Sequence, residues 1–449
     1  MKRSAWRYLW TSQDIRKKLL VTLLLLVIFR LAANVPVPGI DRDVIRSIFA
    51  NPGAAGTLFN MLDLLSGGTM SNFSILAMGV YPYITAQIII QLLTPIIPAL
   101  ERKLKENPRE GQKWMERWTI ILTVPMGLLS AIGQINIFNS MAAQTGQSVL
   151  TYTYGFGGAS LLPTLTTLVS MLAGTMFGIW LGQLISEFGI PNQGLSLIIF
   201  AGIVARIPAN LSSLLSDQQY WWLIFIILAL LAVIIFAIVF VTQGRRNVPV
   251  FFPGRRMGGR MSMPVRTTLP LMVNMAGMIP LIFAQSILTF PAIVAQFFMN
   301  AKTEWWANFN TGVYNLFNGN NGWYTLMYFL MVVAFTFFYT DVLFQQQNYG
   351  DNLKKQGAQL GNVQPGEPTQ KYLTKVQRRI TLPGAVFLGT VAVLPFLLNL
   401  LLPAAARQAG LFLISAAGLL IVVGVVKDTF NIIEAELKLH GYDDSLIRG

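Results

Sequence analysis

Apolar stretches about as long as a bilayer is thick recur from one end of this chain to the other, and no other feature constrains its fold as much. A helix of about 20 mostly apolar residues crosses a hydrocarbon core of about 30 Å. Nine stretches meet that length, near 19–35, 73–94, 118–138, 161–186, 219–242, 268–294, 322–344, 379–402 and 409–431. A tenth, near 193–212, is weaker: its strictly apolar part runs from Leu195 to Ala205, and Arg206, Pro208 and Asn210 follow. Hydrophobic residues fill 54% of the 449 positions and charged residues 12%, about half the charged share of a soluble domain. With a mean hydropathy of +0.55, such a chain must use lipid as part of its solvent. The expected fold class is an all-α polytopic membrane protein with ten transmembrane helices.

The basic residues orient those spans. Six lie in the N-terminal segment (Lys2, Arg3, Arg7, Arg16, Lys17, Lys18) and six after the second stretch (Arg102, Lys103, Lys105, Arg109, Lys113, Arg117). Six more follow the sixth stretch (Arg245, Arg246, Arg255, Arg256, Arg260, Arg266), and another six the eighth (Lys354, Lys355, Lys371, Lys375, Arg378, Arg379). The alternate connections hold only Arg42, Arg46, Arg206, Lys302 and Arg407. An asymmetry of 24 against 5 predicts that both termini and the basic loops face the cytoplasm, and it requires the weak stretch to cross. The loops at 243–267 and 345–378 are long and rich in Gly and Pro. They fit two readings: topology signals alone, or docking surfaces for a cytosolic partner. Clusters such as Arg255-Arg256 and Lys354-Lys355 suit acidic protein or RNA phosphates.

Much enzymology is excluded by two residue counts. Cys is absent and His440 is the single histidine, so disulfides, thiolate chemistry, a His-based triad and a multi-histidine metal site are ruled out. The glycines show no phosphate-binding pattern followed by Lys-Ser or Lys-Thr. No metal, cofactor or catalytic residue is expected. The first apolar run is followed by Val35-Pro36-Val37-Pro38-Gly39 and not by a small-residue cleavage site, and is read as a permanent span.

The span interiors are almost uncharged. Arg30, Asp341, Lys427 and Asp428 lie toward span ends, where long side chains reach the interface, and Glu187 ends the fourth stretch. Proton-coupled pumps place ionisable residues at mid-membrane, which disfavours that class. Mid-span polar, Gly and Pro residues occur instead: Pro82, Thr85, Gln87 and Gln91 in the second stretch, Asn274, Gly277, Pro280 and Gln285 in the seventh. They suit helix packing, and equally two spans that separate and rejoin. A segment just outside the second span, Phe59-Asn60-Met61-Leu62-Asp63-Leu64-Leu65-Ser66-Gly67-Gly68, is amphipathic and too short to cross. It reads either as an interfacial half-helix or as a re-entrant segment folded into the protein's own cavity.

Several runs then point to one family. Val35-Pro36-Val37-Pro38-Gly39-Ile40, Tyr81-Pro82-Tyr83-Ile84, Gly174-Thr175-Met176-Phe177 and Ile198-Ile199-Phe200-Ala201-Gly202-Ile203 come in order along the chain. Leu269-Pro270-Leu271 with Val273-Asn274-Met275-Ala276-Gly277, Phe337-Phe338-Tyr339-Thr340, Asn352-Leu353-Lys354-Lys355 and Leu420-Ile421-Val422-Val423-Gly424 follow. In that joint order the chain resembles the SecY family of protein-translocation channels over essentially its whole length. It departs from the family at Gln364-Pro365-Gly366, where Arg-Pro-Gly is usual, at Ser415-Ala416-Ala417-Gly418, where a Gly-Gly-Thr run is common, and at Lys427.

The resemblance implies two five-span halves in inverted orientation, 1–212 and 213–449, around an hourglass pore. It implies a pore ring of Val80, Ile84, Ile199, Ile282 and Ile421. It makes 59–70 a plug, with Asn60, Met61, Leu62, Asp63, Leu64, Leu65, Ser66, Gly67 and Gly68 at its centre. The second and seventh spans, with Thr85, Gln91 and Asn274, would form a lateral gate flanked by the third and eighth. Docking residues would be Arg245, Arg246, Arg255, Arg256, Arg260, Lys354, Lys355, Lys371, Lys375 and Arg378. The implied activity is passage of unfolded secretory polypeptides and sideways release of transmembrane segments at the bacterial plasma membrane. The implied partners are SecE- and SecG-like small membrane subunits, a SecA-like motor ATPase, the ribosome, the signal sequence of the moving chain and the lipid bilayer. The rival reading is an inverted-repeat secondary transporter of a small solute, which should show a polar mid-membrane cluster around broken helices. An intramembrane aspartyl protease ranks third, since Asp341 has no second aspartate at membrane depth.

Overall fold

Backbone immersed in lipid has to satisfy its own hydrogen bonds, and a helix lies on each of the ten apolar stretches. The computed structural model describes residues 13–45, 69–70, 73–144, 148–155, 157–191, 193–216, 221–252, 256–257, 260–261, 265–297, 304–317, 322–361, 363–401 and 416–439. The first helices are α1 (Gln13–Ala32), α2 (Tyr81–Ile96), α3 (Pro98–Glu106), α4 (Pro108–Gln144), α5 (Leu161–Phe188), α6 (Gly194–Ser216) and α7 (Trp221–Gln243). Strands β1 (Arg245–Phe252), β2 (Arg256–Met257), β3 (Arg260–Met261) and β4 (Val265–Met272) follow. Then come α8 (Ile279–Phe297), α9 (Glu304–Phe317), α10 (Gly322–Gln346), α11 (Tyr349–Lys355), α12 (Glu367–Leu401) and α13 (Ala416–Leu439). Among the described residues, Glu110–Asn139, Leu161–Phe188 and Gly322–Lys355 are long and apolar enough to cross a membrane by length and composition alone. The weak stretch is the helix α6, with Pro208 inside it.

Two stretches differ from the expected continuous helix in the same way. Residues 73–80 form turns, with Gly79 at φ 53°, and helix begins only at Tyr81 with Pro82 in its first turn. Likewise residues 273–278 are irregular, with Gly277 at φ 64°, and α8 begins at Ile279 followed by Pro280. Proline suits a first helical turn because its missing N–H has no intrahelical partner there. Hydropathy runs unbroken through both turns, so apolar content could not locate them.

The basic loops also differ. Strands β1 and β4 pair antiparallel, Arg245 opposite Met272 and Phe252 opposite Val265, and β2 pairs with β3 at the tip. Val248 and Val250 alternate inward from β1 as a half-buried strand requires. The Phe251 N–H donates to the Gln359 carbonyl and the Gln359 N–H to that of Phe251, both at 2.8 Å. This ribbon and the 345–378 loop therefore share one core of Val248, Val250, Leu271, Phe344, Leu360 and Leu373. To an otherwise helical fold the ribbon adds a small sheet, and β-branched Val on one face is what stabilises it.

Helices pack closest where glycine removes a side chain. A Cβ at Gly174 of α5 would overlap the Ile75 carbonyl, whereas one at Gly178 would meet Leu76 Cδ2 at 3.4 Å, ordinary contact. Gly174→Ala should therefore lower the unfolding temperature of the purified protein strongly, because backbone cannot yield as a flexible side chain can. Gly178→Ala should leave it nearly unchanged. Equal behaviour of the two variants in a thermal unfolding assay would contradict this packing.

Candidate functional site

The five expected ring residues come from four helices and the turn before α2. Val80 ends the turn before α2, and its carbonyl accepts the Ile84 N–H at 3.1 Å, which sets the two residues one turn apart. Ile199 comes from α6, Ile282 from the first turn of α8 and Ile421 from α13. All five belong to one hydrophobic cluster, with exposures of 1%, 8%, 4%, 6% and 2% respectively. So they meet side chains, not solvent. Leu76, Ile88, Ile198, Phe283 and Val425 extend the same cluster, which draws on both the 25–203 and the 276–425 parts of the chain. Branched aliphatics at a constriction offer a hydrated ion nothing in exchange for its water.

The polar side chains of the spans do not converge on a ligand site among the described residues. Among the described residues, the buried polar side chains are Thr, Ser, Asn and Gln, with no carboxylate, lysine, arginine or histidine among them. Most hydroxyls donate back to their own helix: Thr94 to the Ile90 carbonyl at 2.8 Å, Thr123 to Thr119 at 2.7 Å, Thr289 to Gln285 at 2.7 Å and Thr336 to Val332 at 2.7 Å. Each is satisfied locally, and of the four only Thr94 also reaches a neighbouring helix, at Met115 Sδ of α4 (4.0 Å).

A different pattern follows the seam where α2 and α4 face α8 and α10. Thr85 donates to the carbonyls of Tyr81 (3.2 Å) and Pro82 (2.9 Å) within α2. The Asn274 amide donates to the Gly277 carbonyl at 3.2 Å and so holds the turn that launches α8. Gln91 of α2 shares a side-chain hydrogen bond with Tyr339 of α10. Yet Gln91 Oε1, Gln134 Oε1, Asn274 Oδ1, Ser286 Oγ and Thr340 Oγ1 are buried with no partner among the described residues. Their elements are α2, α4, the turn before α8, α8 and α10. Leaving such an atom unpaired costs about 1–3 kcal/mol, so these elements carry polar groups that gain by finding other partners. Sequence reading named Thr85, Gln91 and Asn274 and missed Gln134, Ser286, Tyr339 and Thr340. The available signal was mid-span polarity, which does not tell a seam from ordinary packing.

The basic face is exposed at Arg245, Arg246, Lys354, Lys355, Lys371, Lys375 and Arg378. Two of these cations are already paired. The Arg378 guanidinium donates to Asp341 through Nε (3.0 Å to Oδ2) and Nη2 (2.8 Å to Oδ2), and the carboxylate holds the Arg378 pKa above its usual value. Lys371 pairs with Glu367 at 2.8 Å; their hydrogen bond holds the Glu367 carboxyl below the usual range and raises the Lys371 ammonium. Arg256 and Arg260 lie on the paired β2 and β3, and Arg255 lies outside the described residues. Gln364 is exposed, and its carbonyl accepts the Thr369 hydroxyl at 2.7 Å as α12 begins. Lys427 is partly buried and donates to the Thr242 carbonyl at 3.0 Å, satisfying a carbonyl at the C-terminus of α7. The expected plug residues Asn60, Met61, Leu62, Asp63, Leu64, Leu65, Ser66, Gly67 and Gly68 lie outside the described residues. Immediately after them Thr69 is buried and donates to the Leu76 carbonyl, and Met70 packs with Phe73 and Phe138.

This arrangement has close parallels. The sequence model of the SecY family matches residues 74–430. The protein translocase subunit SecY of Mycobacterium bovis is 36% identical over 440 residues, covering 96% of this chain and 97% of its own. That of Streptomyces scabiei is 36% identical over 448 residues, covering 99% of both. The Escherichia coli K12 subunit is 35% identical over 437 residues, with 96% and 94% covered. Among solved structures, a protein-conducting channel superposes with a TM-score of 0.62 at 15% identity, over 99% of this chain and 100% of that one. Canine Sec61 in a ribosome–channel complex superposes at 0.59 and 15%, with the same coverage.

The unpaired hydroxyls make a direct prediction. Ser286→Ala and Thr340→Val remove a buried oxygen without changing shape much, so each should raise stability, by about 1 kcal/mol or more. The unfolding temperature in detergent checks this. A fall in both variants would mean that the hydroxyls have partners in the folded protein.

Proposed function

The chain belongs to the SecY family, and we propose that it is the subunit through which unfolded secretory polypeptides cross the bacterial plasma membrane and transmembrane segments leave sideways into lipid. The observation that carries this reading is the meeting of Val80, Ile84, Ile199, Ile282 and Ile421 in one buried cluster drawn from both parts of the chain. A ring of branched aliphatics closes on itself by dispersion and dry contact, and yields to an extended polypeptide without any bond being broken. Such a gasket needs no catalytic residue. The subunit is a channel component and not an enzyme, and energy comes from outside it.

In this reading 1–212 and 213–449 are the two inverted halves, with both termini in the cytoplasm, and the segment 59–70 plugs the outer funnel. Support for the plug comes from its anchored end at Thr69 and Met70. The lateral gate runs along α2 and α8, flanked by α4 and α10. Unpaired buried atoms on those elements support it, since a seam that opens gains from weak polar contacts. The ribbon and the 345–378 loop receive a SecA-like motor ATPase or a translating ribosome, as the solved Sec61 assembly includes a ribosome. SecE- and SecG-like subunits complete the complex. A small-solute transporter is disfavoured because the hydroxyls in the spans bond back into their own helices.

Ion leak tests the gasket. Ile84→Ser with Ile282→Ser should let water bridge the waist, and deletion of 61–68 should add to the leak. Planar-bilayer conductance of the idle channel with its partner subunits is the measurement. If both altered forms stay as tight as the parent while folded, the ring and plug assignments fail together.

Charge reversal tests the docking face. Lys354→Glu with Lys355→Glu should weaken ribosome or motor binding on the order of tenfold near physiological salt, and less at high salt, where screening already removes the attraction. Unchanged affinity alongside normal membrane insertion would reduce these lysines to topology signals.

A further inference from the structure

The groove between the C-terminal end of α10 and the first turns of α12 has a volume of about 730 Å³ and is lined by Gln345, Lys371, Lys375, Arg378, Arg379 and Leu382 among others. Lys371, Lys375 and Arg379 are spaced four residues apart, so they share one face of α12. That face does not end in water. Leu382 is 56% exposed and Val386 44%, and both lie in the apolar stretch that starts near 379. A single stripe thus runs from ammonium and guanidinium groups to open aliphatic surface within about two helical turns.

The charges along the stripe are not equivalent. Lys371 is tied to Glu367 and Arg378 to Asp341, and Gln370 behind them is spent on the Gly350 N–H and the Phe344 carbonyl. Lys375 and Arg379 have no carboxylate within ion-pairing distance among the described residues. Two uncompensated cations therefore stand at the level where polar surface gives way to apolar surface.

We propose that this groove binds an anionic phospholipid, its phosphate held by Lys375 and Arg379 and its acyl chains lying along Leu382 and Val386. A zwitterionic lipid offers the same phosphate but brings a quaternary ammonium that the two cations repel. A cytosolic polyanion would reach the ammonium groups but would have to leave water to cover the leucine and valine. The paired Arg378–Asp341 and Lys371–Glu367 groups frame the headgroup without adding net charge. This site does not depend on the channel reading, since it is a property of the idle chain.

The test uses the full chain in detergent, with native mass spectrometry after adding phosphatidylglycerol or phosphatidylcholine of equal acyl length. The parent should retain phosphatidylglycerol over phosphatidylcholine. Lys375→Gln with Arg379→Gln should reduce phosphatidylglycerol retention on the order of tenfold, and Lys375→Gln alone should reduce it less. Arg16→Gln with Lys17→Gln removes the same charge from an exposed part of α1 and should leave retention unchanged. Both pairs are exposed, so unfolding temperatures should match the parent. Equal loss in the two double variants would reduce the effect to overall charge and overturn the site, as would no loss in either. Adding an RNA oligonucleotide separates the other class of ligand. If the α12 variant loses oligonucleotide binding but keeps the lipid, the groove serves a cytosolic polyanion and the proposal is wrong.

Discussion

Every other property of this protein depends on a rule of lipid solvent: polar groups must be answered inside the protein, because no water is there to answer them. Main-chain groups comply as helices. Hydroxyls comply by donating one turn back, as Thr94, Thr123, Thr289 and Thr336 do. Having spent their hydrogen bonds internally, the helices are left to meet one another through aliphatic contact. The central cluster is the consequence: aliphatic side chains buried against one another, with little directional bonding between them. The rule is only partly obeyed at several places, and four of them, Gln91, Asn274, Ser286 and Thr340, stand on elements that face one another across the seam.

The two irregular turns give this arrangement its geometry. Residues 73–80 and 273–278 each break an apolar stretch that could otherwise have been a continuous helix, and each is followed within a few residues by a ring candidate. Val80 and Ile84 flank the start of α2, and Ile282 stands in the first turn of α8. A constriction built at helix starts can be narrow without crowding whole helices together. Backbone approach elsewhere is just as tight: Gly174 leaves no room for a Cβ beside the Ile75 carbonyl, which fixes the first of these turns against α5.

How much of this was legible depends on the range of the interaction. The apolar helices and the charge-poor interior follow from hydropathy, and the expected sidedness rests on the spacing of basic residues; both are local properties. The helix α6 was expected despite Arg206 and Pro208, because the charge pattern demanded a crossing. The ribbon was not expected, since Val248 and Val250 lie among arginines and prolines and make sense only opposite Leu269 and Thr267. Nor was the Arg378–Asp341 pair, whose members are far apart in sequence and meet only because α10 and α12 pack together. The proposed ring residues rest on a family resemblance, since an isoleucine in an apolar run carries no mark of any role. The amphipathic α9, with Trp305, Trp306 and Phe309 exposed, escaped notice because hydropathy averaging rewards length over facing.

The ribbon is also tied to the central cluster by a continuous series of contacts. The β1 end is bound to the 345–378 loop through the Phe251–Gln359 pair of backbone hydrogen bonds. At its other end the Gln377 amide of α12 donates to the Met272 carbonyl at 3.0 Å, and Val273 N–H donates to the Gly244 carbonyl at 2.9 Å. A Cβ on Gly384 of α12 would come within 2.8 Å of the Val273 carbonyl, so the two backbones are pressed together there. Lys427 closes the same region from α13 by capping Thr242. The residues that follow Val273 are Asn274, whose amide shapes the turn, then Gly277, and then α8 with Ile282 in its first turn. No flexible linker separates the basic ribbon from that turn. Hydrogen bonds and backbone contact thus link the ribbon to the start of α8, where Ile282 and the unpaired Asn274 Oδ1 stand within a few residues of each other.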